Sequence, residues 1–297
     1  MTKDYIIAEF RIRITGGDWL PAAGNFARAL HVFEAPADPA LPTNLTLHTD
    51  CEVDFDAYQV EILDTFDFPE VNALCSFGRT SDSYIFTMAC PGKSKIYFVK
   101  PFLSGEVSSN IALGIPNAET PSLFRFGLWM MFGIAINALH AIAIHSSVIC
   151  TKAGAALFLG ESGTGKSTHT QLWRTHIAGA YLLNDDSPII RMTAGVATVY
   201  GSPWSGKTPC YKNESQPIRA MVRLSQAPHN AIQPLPVILA IGALLPSCPP
   251  AFAFDSTLQD NICETLSEII SHAPIYHLEC LPNAAAATLS HHTIFEK

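Results

Sequence analysis

The chain has 297 residues, of which 48% are hydrophobic and 15% charged, so it is long enough to bury a large core in one or two domains. Its formal net charge of −8 and the lack of a basic stripe argue against a nucleic-acid partner. The eight cysteines show no zinc or redox spacing, and the first residues contain no secretory hydrophobic segment. We therefore expect reduced thiols and a cytoplasmic protein.

Residues 1–115 are predicted to form a β-rich N-terminal region. Alternating apolar residues indicate a strand over 5–14, and a short helix is expected over 25–33. Residues 83–89 and 95–102 flank a Pro-Gly turn and are typical of a β-hairpin. We find no catalytic motif here and interpret the region as a packing module or a docking site for a partner or substrate.

Residues 123–144 are almost wholly apolar and long enough to span a bilayer. However, the stretch contains Arg125, Asn137 and His140, and it runs directly into a predicted strand over 141–150. We therefore interpret it as a buried helix that begins near Thr120, and expect no membrane partner. A membrane span is the alternative interpretation.

The clearest motif lies between a predicted strand over 155–159 and a predicted helix over 168–177, and it matches the phosphate-binding loop pattern G-x-x-x-x-G-K-[ST]. Glycines let the backbone curl so that N–H groups face phosphate oxygens at a helix N-terminus. The predicted nucleotide-binding residues are Gly160, Glu161, Ser162, Gly163, Thr164, Gly165, Lys166, Ser167 and Thr168. Lys166 is expected to reach the phosphates of ATP, and the Ser167 hydroxyl to bind Mg²⁺.

Three further features surround this loop. Asp185 and Asp186 end a predicted strand over 181–184, where one carboxylate can hold Mg²⁺ and the other can accept a proton. His145 precedes the loop, and a parallel neighbouring strand would bring it close enough to orient an aspartate. The small residues of 201–206 suit a loop near a ligand, in which Lys207 can meet a second anionic group; an incidental solvent loop is equally compatible.

The remaining predicted elements complete a region over 116–297. A hairpin is expected from 187–192 and 196–200, followed by a strand over 218–224 and a helix over 235–245. A helix over 256–272, a strand over 275–280 and a helix over 282–290 end the chain. Alternating strands and helices predict an α/β or α+β domain with a mixed sheet.

Together, His145, the G-E-S-G-T-G-K-S loop and the L-N-D-D segment resemble the kinase domain of HPr kinase/phosphorylase, whose nucleotide fold is that of phosphoenolpyruvate carboxykinase. The resemblance covers roughly residues 141–200. It implies a P-loop kinase with a mixed, twisted sheet, with Asp185 as the base toward a serine hydroxyl, His145 supporting it, and Asp186 at the metal. It also implies a protein or peptide phosphoacceptor, and homologous kinases form oligomers.

This chain departs from the family at several positions. Thr168 stands where the family usually has a metal-side glutamate, and the Gly-rich signature of the bifunctional enzymes has no counterpart. We therefore expect Mg·ATP-dependent phosphoryl transfer, but neither phosphorylase activity nor HPr as the substrate. A small-molecule or carboxykinase-like enzyme, with Lys207 and Arg219 on the substrate, is one alternative. A nucleotide-binding regulatory protein with little turnover is the other.

Overall fold

The computed structural model describes residues 1–52, 54–55, 58–206 and 208–296. Across these residues the chain has a mixed α/β fold with two large mixed sheets and seven α-helices, which confirms the predicted fold class at that level. The chain divides into two compact units. Unit 1 comprises Met1–Ile136 and Ala251–Ser256, and unit 2 comprises Asn137–Pro250 and Thr257–Lys297.

Unit 1 is built on a sheet whose strand order is β3-β1-β2-β4-β9-β8-β7-β6-β5. Its strands are β1 (Thr2–Ile7), β2 (Phe10–Thr15), β3 (Glu34–Ala35), β4 (Leu45–His48), β5 (Glu61–Phe68), β6 (Ala73–Arg79), β7 (Ser83–Ala89), β8 (Ile96–Pro101) and β9 (Glu106–Ser109). Its helices are α1 (Leu20–Ala23), α2 (Phe26–His31) and α3 (Thr120–Asn137), of which only Asn137 belongs to unit 2. The predicted helix over 25–33 and the hairpin of 83–89 with 95–102 are confirmed by α2 and by the antiparallel pair β7–β8.

The predicted single strand over 5–14 is wrong, because β1 and β2 form a tight hairpin there. Ile7 pairs with Phe10, and the two residues between them adopt positive φ angles, 52° at Ala8 and 68° at Glu9. Such a two-residue turn normally contains asparagine or glycine, which tolerate this conformation. Because the turn contains neither asparagine nor glycine, the sequence pattern predicts one continuous strand across it.

Helix α3 confirms the prediction of a buried apolar helix and explains why it is apolar. Phe124 stacks on Trp19 with ring centroids 5.8 Å apart, and Phe126 packs edge-on against Phe86 at 5.5 Å. At Gly127 a Cβ atom would lie 2.2 Å from the ring of Phe98, so glycine is needed for the close approach to the sheet. Nearly the whole helix therefore belongs to unit 1, whereas the sequence prediction divided the chain at residue 115.

Membrane insertion was the alternative interpretation of this apolar stretch. Among the residues that the structure describes, no helix combines the length and the hydropathy needed to cross a bilayer. All eight cysteines lie in the described part of the chain and are free thiols.

Unit 2 is built on a sheet with the strand order β10-β14-β15-β16-β12-β11-β13, to which β18 and then β17 add alongside β16. Its strands are β10 (Ala141–Ala143), β11 (Ser146–Thr151), β12 (Gly154–Leu159), β13 (Tyr181–Asn184), β14 (Ile189–Thr193), β15 (Val196–Tyr200), β16 (Ser215–Gln226), β17 (Ala231–Pro234) and β18 (Ile275–Cys280). Its helices are α4 (Lys166–His176), α5 (Val237–Leu244), α6 (Ser256–His272), whose first residue lies in unit 1, and α7 (Ala284–Phe295). These elements confirm the predicted ones, with two exceptions: the strand predicted over 141–150, and β17, which the sequence analysis did not predict.

The predicted strand over 141–150 is two strands with different partners. β10 pairs with β14, whereas β11 pairs with β12 and β13. The chain crosses between these partners at Ile144 and His145, whose backbone N–H groups donate to Pro188 and Ser247. The polar residues His145, Ser146 and Ser147 interrupt the apolar run at this crossing, and the prediction of a single strand passed over that signal.

The long strand β16 joins the two halves of the unit 2 sheet. Its first residues pair antiparallel with β15. Residues 218–223 then pair in parallel with β12, and residues 221–226 pair in parallel with β18. Helices α4 and α7 pack together over a core that includes Phe158 of β12, Trp173 of α4 and Val222 of β16. This arrangement holds the carboxyl end of β12 and the start of α4 in fixed positions.

Candidate functional site

The predicted phosphate-binding loop joins the end of β12 to the start of α4. All six residues of β12 are buried, and the loop turns out of the sheet at Gly160. Gly163 and Gly165 have φ angles of 86° and 102°, which glycine adopts without strain. No side chain caps the first turn of α4, where Gly165 is the N-cap residue. The start of the helix therefore offers its backbone N–H groups directly to a ligand.

Several backbone N–H groups of this loop are unpaired. Within the described part of the chain, the N–H groups that donate to no acceptor include those of Ser162, Gly163, Gly165, Lys166, Ser167 and Thr168. The N–H of Thr164, by contrast, donates to the carbonyl oxygen of Glu161 at 3.2 Å and so fixes the turn. Unpaired N–H groups at a helix N-terminus favour phosphate because the helix dipole adds partial positive charge there.

Lys166 brings its ammonium group back over the same loop. Its Nζ donates to the carbonyl oxygens of Gly160 at 2.7 Å and Glu161 at 3.1 Å. Partial burial lowers the pKa of Lys166, while the carboxylates of Asp186 and Asp185 act in the opposite direction and favour the charged form. The predicted lysine and both predicted aspartates are thus electrostatically coupled at this loop.

Asn184, at the end of β13, fixes the backbone of the two aspartates. Its Oδ1 accepts from the N–H groups of Asp186 at 2.9 Å and Ser187 at 3.0 Å, and its Nδ2 donates to the carbonyl oxygens of Ser202 and Trp204. The side chain is completely buried. It therefore joins the aspartate pair to the following loop. This role of Asn184 was not predicted from the sequence.

Residues 201–206 lie against the aspartate pair, as the sequence suggested for a loop near a ligand. At Gly206 a Cβ atom would lie 2.9 Å from the backbone oxygen of Asp185, so the loop approaches closely only because this residue is glycine. Lys207, predicted to contact substrate, lies outside the described residues.

Asp185 is buried and points into a chain of hydroxyl groups. It accepts a hydrogen bond from Ser147 Oγ at 2.6 Å, and Ser147 Oγ lies 3.0 Å from Thr170 Oγ1. The single proton of Thr170 Oγ1 can go either to Ser147 Oγ or to the carbonyl oxygen of Ser167, which is 3.1 Å away. Only 9% of the surface of Asp185 is exposed. The carboxylate is therefore tied to the first turn of α4 on the side of Ser167.

His145 contacts Asp186, which corrects the expectation that it supports Asp185. Its Nδ1 lies 3.1 Å from Asp186 Oδ1, and the two side chains are 47% and 32% exposed. The neighbouring strands are also antiparallel rather than parallel: Ser146 pairs with Leu159, so His145 lies beside the last residue of β12. The histidine therefore reaches the loop because β11 begins where β12 ends.

The structure does not bring Arg219 to this site. Ile218 and Ala220 pair with Ala155 and Ala156 at the beginning of β12, and the Arg219 guanidinium donates to the carbonyl oxygen of Ala153. In a parallel pair this position is about 15 Å along the strand from the phosphate-binding loop. This arrangement therefore gives no support to the substrate contact predicted for Arg219.

Arg223, four residues further along β16, lies where Arg219 was expected and was missed in the sequence. It pairs with Leu159 directly before the loop, and its Nη2 lies 3.9 Å from Glu161 Oε1. Its positive charge also contributes to the lowered pKa of Lys166. The parallel register of β16 on β12, which the sequence does not show, is what places it there.

The residues present suit magnesium only as part of a complex with phosphate. Within the described residues there is no cluster of three or more His, Cys, Asp or Glu side chains that could hold a metal ion. Mg²⁺ in phosphoryl-transfer sites commonly uses one or two carboxylates together with substrate phosphates and water. The Ser167 hydroxyl and one aspartate of the pair fit that requirement.

The site thus gathers Lys166, Ser167, His145 and both aspartates at one end of the adjacent strands β12, β11 and β13. No model of a known protein family matches the chain, and the search of curated proteins likewise found no match.

Proposed function

We propose that unit 2 is an Mg·ATP-dependent kinase that transfers a phosphoryl group to a hydroxyl, with a serine of a protein or peptide as the acceptor class. The observation that carries this proposal is the row of unpaired backbone N–H groups at the start of α4, next to the Lys166 ammonium. The resemblance to the HPr kinase domain supplies the serine acceptor. A P-loop fold of the HPr kinase type forms part of the same proposal.

Each group at the site has a role in this reaction. The loop N–H groups and Lys166 bind phosphate oxygens and stabilise the charge that they carry in the transition state. Arg223, beside the loop, adds positive charge there. A carboxylate near Lys166 accepts the proton of the attacking hydroxyl, which raises its nucleophilicity. Bound Mg²⁺ supplies further charge neutralisation.

We assign the role of base to Asp186 and metal binding to Asp185, the reverse of the order taken from the resemblance. A base must be reached by the acceptor hydroxyl, and the Asp186 side chain is 32% exposed and paired with His145. Asp185 is buried and linked through Ser147 and Thr170 to the helix turn of Ser167, which is the proposed magnesium ligand. His145 orients Asp186 in this assignment.

The alternative functions have different support. A small-molecule or carboxykinase-like enzyme relied on Lys207, which lies outside the described residues, and on Arg219, which lies at the far end of β12. A nucleotide-binding regulatory protein with little turnover remains the second candidate, and the observation favouring it is Thr168 where the family carries a metal-side glutamate.

The two aspartates provide the decisive experiment. Asp185→Asn and Asp186→Asn keep the shape of the side chain and remove its negative charge. ATP binding would be measured by calorimetry with and without Mg²⁺, and transfer of labelled γ-phosphate would be followed in a cell extract together with ADP release. We expect Asp186→Asn to lower transfer by about 10²-fold or more, the usual contribution of a general base, while ATP binding persists. Asp185→Asn should lose the magnesium dependence of binding.

Each other outcome identifies a different error. Loss of transfer in Asp185→Asn alone would restore the order implied by the resemblance. Tight ATP binding that persists unhydrolysed, and that neither substitution alters, would favour the regulatory protein. If the wild-type protein bound no ATP in either condition, the kinase proposal would be refuted.

A further inference from the structure

A pocket of about 500 Å³ lies beside the start of β13 and has no part in the proposed reaction. It is bounded by the second half of α4, by Tyr181 and Leu182 of β13, and by the segment 208–212. Arg174 of this pocket lies about 12 Å further along α4 than Lys166, so the pocket is separate from the phosphate-binding loop. Small-molecule sites usually have volumes of about 300–1,000 Å³, and this pocket falls within that range.

Two positively charged side chains line this pocket. Arg174 Nη1 donates to Gln171 Oε1 at 3.1 Å, and Lys212 Nζ lies 4.4 Å from the centroid of the Tyr181 ring. Among the described residues, neither cation forms an ion pair with a carboxylate, and no Asp or Glu lines the pocket. In a chain with a net charge of −8, two such cations in one pocket favour an anionic ligand.

The Cys210 thiol lies in the same pocket and is influenced by both cations. Burial raises the pKa of Cys210, while the positive charges of Lys212 and Arg174 act in the opposite direction. The negative charges of Asp185 and Glu214 act in the same direction as burial, but neither residue lines the pocket. Because both cations act on one thiol group, a single small ligand beside that thiol would be attracted by both.

The walls of the pocket are held in place by the rest of unit 2. Ser205 Oγ donates to the carbonyl oxygen of Thr208 at 2.6 Å and accepts from the backbone N–H of Cys210 at 3.1 Å. On the helix side, Trp173 is completely buried and fixes the turn of α4 that carries the arginine. The pocket is therefore preformed, which lowers the ordering cost of binding a ligand.

We propose that this pocket binds a small organic anion with at least two negative charges, carried by carboxylate or phosphate-ester groups. The Arg174 guanidinium presents N–H donors in a planar fork that matches the oxygens of either group, and the Lys212 ammonium neutralises the second charge. The side chains of Leu182 and Pro209 offer apolar surface to the carbon skeleton of the ligand. This inference goes beyond the proposed kinase reaction and does not depend on it.

Cys210 provides a measurement that is confined to this pocket. The full chain would be alkylated with N-ethylmaleimide, and peptide mass spectrometry would report the labelling rate of each cysteine. Succinate and glycerol 3-phosphate are the doubly charged probes, and acetate is the singly charged reference at the same ionic strength. Cys263, a partly exposed thiol on α6, serves as the internal reference for effects that do not arise in the pocket.

Two substitutions test the cations. Arg174→Gln and Lys212→Gln each remove one positive charge, and the exposed position of Arg174 makes its variant the less disturbing to the fold. Lys95→Gln is the matched control, because Lys95 is a lysine of unit 1 that also lies over an aromatic ring, that of Phe55, at 5.1 Å.

We expect at least one doubly charged probe to slow the labelling of Cys210 at a concentration about tenfold or more below that needed with acetate, while Cys263 is unaffected. The probe that does so identifies carboxylate or phosphate ester as the preferred group. Each pocket variant should raise the required concentration by about tenfold, and the control should leave it unchanged. The proposal would be overturned if neither probe protected Cys210 better than acetate, or if either pocket variant left the protection intact. Both results leave the kinase proposal standing, because the phosphate-binding loop lies outside this pocket.

Discussion

Replacing Lys166 by alanine is the most direct test of the phosphate-binding loop. In the structure its Nζ bonds to two loop carbonyl oxygens, and a bound phosphate would take over as its partner. A hydrogen bond to a charged group is worth about 1.5–3 kcal/mol, whereas one to a neutral carbonyl contributes about 1 kcal/mol. The lysine is half-buried, so its charge is only partly screened. The lysine exchanges one kind of bond for the other, a net gain of about 0.5–2 kcal/mol, so its removal should weaken tripolyphosphate binding by about 2- to 30-fold.

The same two contacts set the expected loss of stability in Lys166→Ala. Losing two hydrogen bonds from Lys166 to the loop should lower the free energy of unfolding by about 1–2 kcal/mol, which denaturant unfolding would measure. Lys152→Ala is the matched control, because that lysine is exposed in the turn between β11 and β12. Unchanged phosphate affinity in a folded Lys166→Ala protein would refute the reasoning, as would an equal loss of affinity in the control.

Two further substitutions test the support of the fold around the site and in unit 1. Asn184→Ala removes the buried amide that bonds the N–H of Asp186, and should lower the free energy of unfolding by about 2–4 kcal/mol and reduce transfer. Asn184→Asp should restore neither, because its carboxylate cannot donate to the carbonyl oxygens of Ser202 and Trp204. Asp4 is fully buried and accepts one hydrogen bond from Arg11 and two from Arg13, and the Arg13 bonds are the main cause of its lowered pKa. Asp4→Asn should therefore lower the free energy of unfolding by about 2–4 kcal/mol at neutral pH. Because the pKa of Asp4 in the folded protein lies below the unfolded value of 3.8, this stabilisation is present above pH 3.8 and disappears as the pH falls through the folded pKa. The unfolding free energies of the wild type and Asp4→Asn should therefore converge in acid. A difference that stays constant with pH would contradict the assignment.

The sequence predicted the order of elements around the loop because their patterns are local. The helix over 256–272 and the strands over 181–184 and 275–280 were placed with the bounds that the structure shows, since regular apolar spacing and flanking turn residues mark their ends. The hairpin at Ala8 and Glu9 was missed because its turn residues carry no turn signal.

Predictions that depended on which strands lie side by side were less successful. Arg219 and Arg223 are both arginines on one strand, and only the register of β16 on β12 decides which of them reaches the loop. His145 was expected near Asp185, but the fold of the chain after Asn184 turns Asp186 toward it instead. Such contacts depend on tertiary structure, and they cannot be read from the local pattern of a single sequence.

The path of β16 has a consequence for how unit 2 moves. This strand hydrogen-bonds to β15 through its first residues and to β12 and β18 through its later ones. None of these three neighbours can separate from it without exposing buried core residues. Amide protons near Ala220 and Val222 should thus exchange with solvent only on global unfolding of the unit, whereas those of the loop at Gly163 and Gly165 exchange freely. Ligand binding would then slow amide exchange in the loop. Exchange in the sheet would change less, because it already requires global unfolding.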